Sequence, residues 1–232
     1  MFHVLNRAVE GATLFRKGRD YDVFLHRLTD TLRRIPMRLL AYAVMPNHWH
    51  LVLWPSEDNL SKFMKRLTAA HAQKWREQHG SRGRGAVYQG RFKAIAVQRD
   101  GHLIQLCRYV ERNPVRARLV GSVQDWPWSS ASLESADPRR PPLTAWPVRR
   151  PRQWLAMLNA PEPTASLARV RGAIRESRHF GASAWRLQVS GELRWRQGGR
   201  GPGRTWERPV LAEDEVCDAL SDDLVRNRES RR

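Results

Sequence analysis

Cysteine is nearly absent from this 232-residue chain: Cys107 and Cys217 stand far apart in unlike contexts. That scarcity excludes a disulfide framework or a thiolate zinc site as the organising device. No apolar run approaches the ~20 residues of a membrane span, and no early stretch has the shape of a signal peptide. There is no phosphate-binding loop of the P-loop type and no internal repeat. Acidic residues are also in short supply, 23 against 41 Lys and Arg, so the net charge is +18 and the pI about 11.3. A GC-rich genome would favour Arg over Lys, but it accounts less well for so large an excess. So basic a soluble chain ordinarily has a polyanionic partner, and nucleic acid is the commonest. The expected setting is a reducing bacterial-type cytoplasm, in association with the nucleoid and without a membrane.

Hydrophobic residues make up 41%, enough for a core and an appendage. Residues 2–7, FHVLNR, read as a strand. Residues 20–34 carry Val23, Phe24, Leu28 and Leu32 at helical spacing, with Asp20 placed to cap. The β-rich run 38–45, the turn signal Pro46-Asn47 and the run 48–54, HWHLVLW, outline a hairpin. Residues 59–79 form a long amphipathic helix with a stripe of Leu60, Phe63, Met64, Leu67 and Ala70. A basic loop at 80–85, a strand at 87–97 and a helix from Asp100 to about Glu111 or Asn113, stopped by Pro114, complete the pattern. The order β-α-β-β-α-β-α predicts an α+β domain with helices on one face of a mainly antiparallel sheet. Beyond residue 131 the texture changes. Residues 132–164 read as a proline-rich linker, 165–210 as a basic DNA-contacting extension and 211–232 as a polar tail. Residues 149–210 hold 13 Arg against 4 acids.

Three features carry chemistry. Strand alternation puts His48 and His50 on one face and Trp49 on the other, and two such imidazoles can chelate one cation. A histidine pair by itself is equally compatible with core or surface roles. Tyr109 and Asn113, in CRYVERNPVRARLV, stand one helical turn apart. An Asn carboxamide is a suitable oxygen ligand for Mg²⁺ or Mn²⁺; the plainer alternative is a half-buried aromatic followed by a helix cap. In GRGAVYQGRFKA, Arg91 and Lys93 would project from one strand face, with Gly90 allowing close backbone approach to phosphate and unstacked bases.

Taken together, MPNHWHLVL, VYQGRFKAI and CRYVERNPVRARLV, in this order and spacing, resemble the REP-associated tyrosine transposases, relatives of the insertion-sequence transposases with one catalytic tyrosine. FHVLNR and DWPWSS match as well, so the resemblance covers about residues 2–131. IRESRHFGASAW and the run GGRGPGR are more weakly similar to the family's C-terminal tail. The resemblance implies a ferredoxin-like HUH transposase fold, Tyr109 as nucleophile, and His48, His50 and Asn113 as ligands of a divalent Mg²⁺ or Mn²⁺. It implies single-stranded or hairpin DNA, REP-like palindromes, as partner of a monomer or homodimer. Asn6, Arg7, Arg91, Lys93, Arg108, Arg112 and Arg116 are the candidate DNA contacts. The expected activity is a metal-dependent single-strand endonuclease and strand transferase with a covalent 5′-phosphotyrosine; the alternative is a non-catalytic hairpin DNA- or RNA-binding protein. The chain has Ala8 and Arg118 where the family often has Gly.

Overall fold

The computed structural model describes residues 1–80 and 85–196. The chain runs β1 (Phe2–Arg7), α1 (Gly18–Arg34), β2 (Met37–Val44), β3 (His48–Pro55), α2 (Leu60–Gln78), β4 (Lys93–Ala96), α3 (Gly101–Glu111), α4 (Asn113–Arg116), α5 (Trp154–Asn159), α6 (Thr164–Arg175) and α7 (Ser183–Arg196). The strands lie in the order β2-β3-β1-β4, each antiparallel to its neighbours. With α1 and α2 as the two crossovers, this is the ferredoxin-like βαββαβ arrangement.

Helices α1 and α2 share one face of the sheet, as the amphipathic stripes require. Tyr21, Phe24, Leu25 and Leu28 of α1 and Phe63, Met64 and Leu67 of α2 are buried against Val4, Leu39, Leu51 and Leu53. Asp20 serves the helix start from within the first turn, its carboxylate accepting from the backbone of Arg16 at 2.8 Å and Lys17 at 3.0 Å. A further layer covers the opposite face. Leu103, Leu106, Tyr109 and Val110 of α3 pack on Leu5, Ala41, Ala43 and Val52, joined by Trp154, Leu158, Val170 and Ile174 of α5 and α6. Two covered faces explain why β2 and β3 read as near-continuous apolar runs instead of alternating ones.

The expected strand 87–97 is regular only over β4. Tyr88 makes an isolated bridge to Ala8, and Gly90, at φ 140°, breaks the run in a conformation that favours glycine. The proline-rich stretch read as a linker is laid along the molecule. Thr144 N–H donates to Leu39 O at 2.8 Å and Trp146 Nε1 to Leu40 O at 3.0 Å, beside a register shift in β2 between Leu39 and Ala41. Proline denies this stretch regular pairing, yet Trp154 and Leu158 find an apolar bed. Further on, Phe180 N–H donates to Ala96 O at 2.8 Å and Gln98 N–H to Phe180 O at 2.9 Å, so residues 178–182 cover the free edge of β4. Residues 81–84 of the basic loop, the run GGRGPGR and the tail 211–232 lie outside the described residues.

The two departures at glycine positions differ physically. Ala8 is extended, at φ −61° and ψ 148°, so no glycine is needed. Arg118 sits at φ 54°, in the left-handed region where a side chain is strained.

Candidate active site

The site is assembled by β1, β3 and α3. The turn at Pro46-Asn47 starts β3, and parity then sends His48 and His50 toward α3 while Trp49 enters the core on the other face. The two imidazoles meet edge-on with ring centres 4.9 Å apart. The His48 Nδ1 atom lies 2.6 Å from Asn47 Oδ1. An amide oxygen only accepts, so Nδ1 carries the proton and Nε2 keeps its lone pair. His50 is fully buried; its Nδ1 lies 2.9 Å from His3 Nε2, and its Nε2 has no hydrogen-bond partner. Tyr109 reaches the pair from α3, its ring centre 5.9 Å from that of His50 and 6.4 Å from that of His3.

Asn113, 3% exposed, opens α4 one turn beyond Tyr109. Pro114 does not end the helical path there, because it occupies the first turn of α4, where a missing N–H costs nothing. Arg112, Arg116 and Ala117 N–H still donate to the carbonyls four residues back, so Tyr109 and Asn113 keep a shared helix face.

Burial sets the protonation states. His3 and His48 are pushed down to about 3 by loss of solvent, with Arg7 and Arg116 adding to the effect at His48. His50 is held well below its ordinary value, first by burial and then by His48 and His3. Neutral imidazoles are the form that ligates metals. Among the described residues no group of three or more His, Cys, Asp or Glu is placed to hold a metal ion. A cation at His48 and His50 would therefore need a neutral oxygen donor, the type Asn113 offers. The unpartnered buried Nε2 of His50 and the Nδ1 tether of His48 fit such a ligand.

The basic candidates divide by position. Arg7 ends β1 opposite His48. Lys93 and His50 both pair with Leu5, so they lie in one row across the site face. Arg91 is exposed just before β4, outside regular strand, so strand parity does not relate it to Lys93. The Asn6 side chain is committed locally, Nδ2 donating to Gly90 O at 3.3 Å and Oδ1 accepting from Arg7 N–H at 2.9 Å. Arg108 Nη2 donates to Ala160 O at 3.0 Å and Pro161 O at 3.1 Å, and Arg112 Nη1 to Leu158 O at 2.6 Å and to Ala160 O. These two arginines satisfy the carbonyls at the end of α5. Arg116 lies over the Tyr109 ring at 4.1 Å and faces Glu162 at 3.6 Å.

Sequence reasoning missed three contributors. His3 shares the site face with His50, but the residue facing it depends on strand register. Glu111 is fully buried, accepting from Ser130 Oγ at 2.6 Å and Trp154 Nε1 at 2.7 Å, with burial raising its carboxyl. It ties α3 to the DWPWSS segment and to α5. Glu162 comes from the supposed linker.

The model of a family described as "Transposase IS200 like" matches residues 1–113. Proteins named REP-associated tyrosine transposase are similar to the chain. That of Haemophilus influenzae is 27% identical over 128 residues, covering 48% of this chain and 69% of its own length. That of Escherichia coli is 27% identical over 116 residues, covering 48% of this chain and 64% of its own length. Among solved structures, a REP-associated tyrosine transposase bound to a REP hairpin is 22% identical, with a TM-score of 0.48 over 60% of this chain and 81% of that one.

Proposed function

We propose, from the match of residues 1–113 to the model of the IS200-like transposases, that the chain is a metal-dependent single-stranded DNA endonuclease and strand transferase, acting at or near hairpins through a covalent 5′-phosphotyrosine. The observation that carries the reading is the meeting of Tyr109 with His50, ring centres 5.9 Å apart, at an imidazole whose buried Nε2 has no hydrogen-bond partner. An ordinary buried aromatic would explain the first fact and leave the second unexplained.

His48, His50 and Asn113 would hold Mg²⁺ or Mn²⁺, which when bound polarises the non-bridging oxygens of the scissile phosphate. The Tyr109 oxygen attacks phosphorus, and the bond from phosphorus to the 3′ oxygen breaks. The phenol proton ends on that 3′ oxygen, leaving a 3′-OH and a 5′-phosphotyrosine. Rejoining is the reverse, with a 3′-OH attacking and the phenol restored. One phosphoester replaces another at each step, so no ATP is consumed. The phenol must give up its proton to attack, and the Arg116 guanidinium stands 4.1 Å from the centre of the Tyr109 ring, a positive charge beside the group that becomes an anion. Arg108 and Arg112, turned toward α5, are less suited to that task. Tyr109 is only 3% exposed, so side chains packed over it, Arg116 among them, must move as a phosphate arrives. The other contacts of Arg116 are a 3.3 Å hydrogen bond donated to the Tyr109 carbonyl and a 3.6 Å approach to Glu162.

The test is a labelled single-stranded hairpin incubated with the protein and Mn²⁺. A denaturation-resistant protein–DNA adduct is expected from the native chain and none from Tyr109→Phe, which still binds the hairpin. If the native chain forms no adduct on any hairpin while binding it, the hairpin-binding alternative stands instead.

A further inference from the structure

We propose that His3 is a positioning residue that fixes His50 in the tautomer with its proton on Nδ1, leaving Nε2 as a ready metal ligand. The proposal rests on the metal reading of the site given above and names a residue that reading does not require.

The contact is specific. His3 Nε2 lies 2.9 Å from His50 Nδ1, the rings stack with centres 5.1 Å apart and planes 19° from parallel, and both residues are fully buried. Only one of the two nitrogens can carry the shared proton. If His3 donates, His50 carries its own proton on Nε2 and cannot ligate. If His50 donates, its Nε2 keeps a lone pair, and His3 carries its proton on Nδ1, which like His50 Nε2 is buried without a hydrogen-bond partner. Asn47 already imposes the second arrangement on His48, through an oxygen that only accepts. His3 gives His50 the matching support, since a ligating imidazole is ordinarily oriented by an acceptor on its other nitrogen. His3 also touches the edge of the Tyr109 ring, at 6.4 Å between centres. One side chain on β1 therefore bears on both the proposed ligand and the proposed nucleophile.

Substitution separates this role from packing. His3→Leu fills space and accepts nothing, whereas His3→Gln places an amide oxygen near the position of Nε2. In the metal-free full chain, long-range ¹H–¹⁵N spectra of the imidazoles should show His50 protonated on Nδ1. In His3→Leu that pattern should give way to a mixture of the two tautomers, and in His3→Gln it should return. Mn²⁺ binding, read by electron paramagnetic resonance, should weaken about 10- to 100-fold in His3→Leu and recover most of that loss in His3→Gln. A His50 protonated on Nε2 in the native chain, or a His3→Leu variant with native tautomer and native Mn²⁺ affinity, would overturn the proposal. If the native chain binds Mn²⁺ no better than His50→Ala, the metal reading falls, and the His50 spectrum still decides what His3 does.

Discussion

Acid should unfold this protein early, because four histidines are buried neutral. His3, His48 and His71 titrate near 3, and His50 well below its ordinary value, all chiefly through loss of solvent. Each recovers a pKa near 6.5 when the chain unfolds. The folded values are depressed, so below pH 6.5 the unfolded chain binds more protons than the folded one. Stability is then intact above pH 6.5 and falls as pH drops from there toward 3. Each histidine contributes about 1.4 kcal/mol per pH unit once well below 6.5. For the four together the loss between pH 7 and 5.5 is about 5 kcal/mol, a large part of a typical domain's stability. Glu111 acts with the opposite sign, since its raised carboxyl takes up a proton in the folded state, but it is one group against four. Urea unfolding followed by tryptophan fluorescence at pH 7.5, 6.5 and 5.5 reads the effect. His71→Gln supplies the internal control. His71 Nδ1 lies 2.6 Å from the Tyr88 hydroxyl, and a glutamine can hydrogen-bond there without titrating. Its stability should fall with pH by one proton fewer than that of the native chain. Equal unfolding midpoints at pH 7.5 and 5.5, or an unchanged slope in His71→Gln, would refute the reasoning.

Arg118→Gly should stabilise the protein by about 1 kcal/mol, by relieving a left-handed backbone at φ 54°, visible as a rise in Tm. Trp154→Ala should cost about 3–5 kcal/mol in urea unfolding, because it removes a buried ring and one of the donors to the buried Glu111. Glu162→Gln should remove the charge that competes with phosphate for Arg116 and tighten single-stranded hairpin binding by about two- to fivefold, read by fluorescence anisotropy. Hairpin affinity should fall steeply as salt rises, and random duplex should bind more weakly than the hairpin under the same conditions.

The six core elements were legible because their signals are local. Helical spacing in α1 and α2 and the Pro46-Asn47 turn each depend on residues close in sequence. The opposed placement of Trp49 and the two histidines was legible for the same reason, since a strand alternates faces whatever it pairs with. The i, i+4 relation of Tyr109 and Asn113 needed only a helix. Charge excess, scarce cysteine and the motif order likewise belong to the sequence. Tertiary structure decided everything that depends on register and docking. Strand pairing brought His3 onto His50, 47 residues away. The docking of α5 drew Arg108 and Arg112 to its terminal carbonyls, where helix position alone had left them as candidate phosphate contacts. Apolar side chains between the prolines turned a supposed linker into a layer that delivers Trp154 to Glu111 and Glu162 to Arg116. Periodicity reports which face a residue occupies, but a partner on that face is chosen by packing between segments distant in the chain, and no local pattern encodes that choice.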